Sequence, residues 1–94
     1  MNDQKYQGWT NYATWRVNLE LIDGIDPNEY GADDIRELSD RLKDMVEEII
    51  EATTQQGIGR DYAFAFIDYV NWYEIAEHLA EDYELFKPEP EGIE

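Results

Sequence analysis

The sequence predicts an all-α protein, a small single-domain bundle of three to four helices with one long acidic helix, and three observations carry that expectation. Apolar residues recur at three- and four-residue steps, most clearly Ile35, Leu38, Leu42, Met45 and Ile49. N-cap residues, Thr10 or Asn11 and Asn71, and the acids Asp33 and Asp34, which suit a helix N-terminus, stand at the start of the periodic segments. No segment reads as a strand that has a second strand to pair with. The chain has 94 residues, 43% hydrophobic and 14% aromatic, enough for one modest core and too apolar for a disordered acidic tail.

Taken in order, "TNYATWRVNLELIDG" reads as a helix capped by Thr10 or Asn11 and closed by Gly24, with Tyr12, Trp15, Leu19 and Ile22 on one face. "IDPNEYGAD" reads as a loop. The long helix is expected from about Ala32 to Gln55, roughly 36 Å at 1.5 Å per residue, stopping in "TTQQG". "RDYAFAFIDYV" alternates as a strand would in Tyr62, Phe64 and Phe66, while Ala63, Phe66, Ile67 and Val70 fit a helix; helix is preferred because a lone strand has no partner. "VNWYEI" has the form of a capping box, Asn71 as N-cap and Glu74 at the third helical position, with Val70 placed to staple against Ile75. The helix it opens should run from Trp72 to about Tyr83 and bury Ile75, Ala76, Leu79 and Tyr83. The helical domain is expected over 1–87, and the proline-broken acidic tail over 88–94 is expected to be mobile.

Charge narrows the function classes. Asp and Glu number 23 against 7 Lys and Arg, a formal net charge of -16. Phosphate affinity comes from cationic groups, so direct binding to nucleic acid or to an anionic membrane surface is disfavoured, and a basic partner is expected. The absence of cysteine removes disulfides, thiolate metal sites and cysteine nucleophiles. The start "MNDQKYQGWT" lacks a basic region followed by an apolar run, and no apolar stretch approaches membrane-spanning length, so a cytoplasmic protein is expected. The first 22 residues balance Asp3 and Glu20 against Lys5 and Arg16, so the acidity begins after them.

On the long helix Asp33, Glu37, Asp40, Asp44, Glu47 and Glu51 also recur at three- and four-residue steps, away from the apolar seam, with Glu48 beside them. Such a line can present to a basic cleft a field like that of a nucleic-acid backbone. Glu77 and Glu81 on the last helix are expected to extend it. The competing reading is a solvated face, since Glu37 and Arg41 form a favourable i,i+4 pair and Arg36 and Lys43 sit near Asp40 and Glu47.

Other constellations are weaker. Asp26, Asn28, Gly31, Asp34 and Glu37 match positions 1, 3, 6, 9 and 12 of an EF-hand calcium loop, but Tyr30 at position 5 cannot supply the required oxygen and Pro27 stiffens position 2. His78 lies four residues from Glu74 and from Asp82, weak support for a metal. Ser39 has no histidine near it in sequence, so no hydrolase signature forms and no enzyme is expected. No cofactor is expected either. The aromatic residues Trp9, Trp15, Trp72, Tyr73, Phe64 and Phe66 fit core packing better than base stacking, which works within a positively charged groove; Tyr6, ahead of the first helix, is the candidate for exposure.

"GWTNYATWRVNLEL" and "VNWYEIAEHLAED" resemble segments shared by a family of small acidic proteins encoded largely by bacteriophages and mobile elements. The resemblance implies a phage-like setting and a small helical domain, and it carries no catalytic residue onto this chain. The leading expectation is therefore a non-enzymatic inhibitor, a DNA mimic acting on a nucleic-acid-binding host defence protein through its carboxylate rows. A calcium- or metal-responsive protein using the 26–37 loop, and a phage accessory or structural domain without mimicry, with a homodimer among its expected forms, are the alternatives.

Overall fold

The computed structural model describes residues 5–86. The tail expected over 88–94 lies outside the described residues. The fold is all-α: α1 Tyr12–Val17, α2 Ile35–Thr53, α3 Ile58–Ile67 and α4 Trp72–Asp82. Ahead of α1, Tyr6 and Trp9 exchange two backbone hydrogen bonds of 2.8 Å across a tight turn, in which Gln7 and Gly8 both take positive φ.

Asn11 caps α1, its Oδ1 accepting the Thr14 N–H at 2.9 Å. The helix does not continue evenly. Asn18–Ile22 forms a π turn in which the Asp23 N–H reaches the Asn18 carbonyl at 2.8 Å, and Gly24 at φ 92° ends it. The buried face is Ala13, Thr14 and Val17, with Ile22 after them, whereas Tyr12 and Leu19 are exposed, which corrects the face expected from periodicity. The extra residue in the π turn rotates Ile22 back toward the side that carries Ala13 and Val17.

A 3-10 turn, Pro27–Tyr30, leads to α2. Asp34 caps α2 by accepting the Glu37 N–H at 2.8 Å. Starting there, the helix has 19 residues and is about 28 Å long, shorter than expected. Leu38, Ser39, Leu42 and Val46 are buried; Ser39 is accommodated because its hydroxyl donates to the Arg36 carbonyl at 2.7 Å. Ile49, expected in the seam, is exposed, and Ile50 packs half-buried against the core.

The C-terminus of α2 is closed from outside the helix. Arg60 Nη2 donates to the Glu51 carbonyl at 2.9 Å and to the Thr54 carbonyl at 2.6 Å, and Nε to Thr54 Oγ1 at 3.1 Å. The guanidinium thus satisfies carbonyls left over at a negative helix end. Gly57, at φ 145°, makes the reversal that starts α3. Residues 60–67 of the ambiguous segment are helical, and 68–70 form the turn into α4.

Helix α2 packs mainly against α4, and the start of α2 lies beside the end of α4, so the two run antiparallel. Ile22, Leu38, Leu42, Val46 and Ile75 are the large apolar side chains at the centre, each stabilising the fold by about 1.5–3 kcal/mol. Val70 and Ile75 both join this core, as the staple requires, and Ala80 is buried where Tyr83 was expected. Trp9, Phe64 and Trp72 pack half-buried around it. The Trp72 indole N–H is buried without an acceptor among the described residues, a cost the packing of the ring must exceed.

Candidate functional site

Two regions concentrate polar side chains. The first joins the starts of α1 and α4. Thr14, fully buried, donates its hydroxyl to Asn11 Oδ1 at 2.7 Å and accepts the Asn71 N–H at 2.9 Å. Asn11 Nδ2 donates to the Tyr69 carbonyl at 2.8 Å, and Asn71 Nδ2 to Thr10 Oγ1 at 3.3 Å. Asn71 Oδ1 accepts the Glu74 N–H at 3.0 Å, as an N-cap should. The reciprocal half of the capping box is replaced: Glu74 Oε1 accepts the Thr10 N–H at 3.0 Å, and Thr14 takes the Asn71 N–H that Glu74 was expected to take. Two helix caps are therefore locked into each other, and the residues that do it belong to the "TNYAT" and "VNWYE" segments.

The second region is the outer face of α2. At 3.6 residues per turn Asp40, Asp44 and Glu51 fall opposite Leu38, Leu42 and Val46, with Glu47 and Glu48 to either side and Asp33 just ahead of the N-cap. Asp33, Asp40, Asp44, Glu48 and Glu51 are exposed, and Glu37 and Glu47 are half-buried. Among the described residues, the row has one ion pair, Arg41 Nη2 to Glu37 Oε2 at 2.6 Å. The expected softening by Arg36 and Lys43 is not realised as ion pairs there. Glu37 also accepts the Asp33 N–H at 2.9 Å, and the two contacts, Arg41 first, hold its carboxyl below the usual range while raising the Arg41 guanidinium.

Glu77 and Glu81 are exposed on α4 and border a shallow cleft of about 380 Å³ with Ile35, His78, Leu85 and Phe86. Ile35 begins α2, so these two acids meet the N-terminal end of the α2 row. His78 stacks on Trp9, ring centroids 4.2 Å apart, rather than facing a cation with Glu74, which is bonded to Thr10.

In the 26–37 loop one oxygen each of Asp26 and Asp34 and both oxygens of Glu37 face protein donors. Asp26 Oδ1 accepts the Asn28 N–H at 2.9 Å and Asn28 Nδ2 at 3.0 Å, Asp34 caps α2, and Glu37 holds Asp33 and Arg41. Among the described residues no three His, Cys, Asp or Glu side chains come together as a metal-binding group. None of their helices is long and apolar enough to cross a membrane.

The N-terminal aromatics divide. Tyr6 is half-buried, 5.1 Å from the Tyr12 ring and 4.8 Å from Trp15, but Tyr12, Phe66 and Tyr73 are exposed, so the core accounts for only part of the aromatic content. Sequence reasoning missed Arg60, because nothing local marks a cation seven residues past a helix end as its cap. It also missed Thr14, because a periodicity count treats threonine as a surface residue. No curated protein and no solved structure matches the chain. A family pattern does match, over residues 2–89, and the chain belongs to that family, described as a family of unknown function (DUF7249).

Proposed function

We propose that this protein is a non-enzymatic inhibitor that binds a basic, nucleic-acid-binding host protein by imitating DNA, in the phage-like setting that the two motif segments imply. The observation that carries the reading is the outer face of α2, where seven carboxylates from Asp33 to Glu51 have a single ion pair among them. At 1.5 Å per residue they offer about one negative charge per 4–5 Å of helix axis, close to the spacing along a nucleic-acid strand. Glu77 and Glu81 add to the field where α4 meets the start of α2. Fixed on a helix, these charges need little ordering on binding, and their field steers a cationic partner toward them.

The test is recovery of host proteins on the immobilised chain, followed by competition with duplex DNA and with salt. A basic partner released by both is the expected result. A partner retained at high salt, or one that DNA leaves in place, would sink the mimicry.

A further inference from the structure

We draw no further inference here: the strongest candidate, the shallow cleft between the start of α2 and the end of α4 bordered by Ile35, Glu77, His78, Glu81 and Phe86, carries nothing because its two carboxylates belong to the acidic surface already described and nothing in the structure shows what covers its apolar floor.

Discussion

At the joint between α1 and α4 each polar side chain finds a partner inside the chain, whereas along the outer face of α2 one carboxylate, Glu37, pairs with a cation. The joint lies at the edge of the core, and its Thr14 is fully buried, so the hydrogen bonds that Thr14 makes stand in for water that cannot reach it, while those from Asn11 to Tyr69 and from Asn71 to Thr10 lie at the surface. The α2 face is solvated, and its charges contribute repulsion to the folded state. This difference explains why the most distinctive residues of the sequence, Thr10, Asn11, Thr14, Asn71 and Glu74, are those that hold the molecule together. The motif segments supply the joint of the fold here, and the carboxylate row of α2 lies outside them.

Breaking the joint should have the largest effect. Thr14→Val keeps the shape of the side chain, removes the hydroxyl and leaves the Asn71 N–H without its acceptor, so urea unfolding should show a loss of about 2 kcal/mol. Arg60→Met keeps the apolar stem and frees the last carbonyls of α2; a loss of about 1 kcal/mol is expected, with faster amide exchange confined to residues near Thr53. Retention of wild-type exchange there would show that water serves the carbonyls equally well.

Glu37 sits between the two regions, and its titration sharpens the contrast. Its carboxyl is held below the ordinary range by Arg41 and the Asp33 N–H, so the stability it contributes is present above the unfolded-state value and is lost as pH falls through the lowered folded value. In Glu37→Gln the amide can still accept from Asp33. The difference in melting temperature between the two proteins should therefore be present at neutral pH and vanish in acid, and a difference that persists in acid would assign the effect to packing.

The smallest effect on stability is expected on the row itself. Replacing Asp40 and Asp44 with asparagine and Glu51 with glutamine should change the unfolding free energy by no more than about 0.5 kcal/mol, with any change toward greater stability at low salt. The same triple variant should lose most of its capture of a basic partner. Destabilisation beyond that range would mean that the face carries structure after all.

The four helices were legible because capping and periodicity are local: Asn71 caps α4 as expected, Asp34 stands at the start of α2 where an acid was expected and caps it, and Leu38, Leu42 and Ile75 are buried at their expected spacing. Two errors have one cause. Glu74 was read as the second half of a local box, and Tyr12 and Leu19 as core, because the partners that decide both lie more than 50 residues away, Thr10 for Glu74 and Tyr69 for the side of α1 that Asn11 holds. The stripe on α2 could be read at the level of its face, since a helical wheel needs no tertiary contact. Which of its charges stay unpaired could not, because that depends on rotamers of Arg36, Arg41 and Lys43.

The locked caps also set an order of events. Thr10, Asn11 and Thr14 make contacts to residues separated from them by 57 to 64 positions. Contacts of that range close large loops and form slowly relative to the helices they join. On a ribosome the opening segment therefore has no place to dock until synthesis has passed the start of α4, and a product cut short before α4 carries an N-terminal helix whose cap residues have nothing to hold.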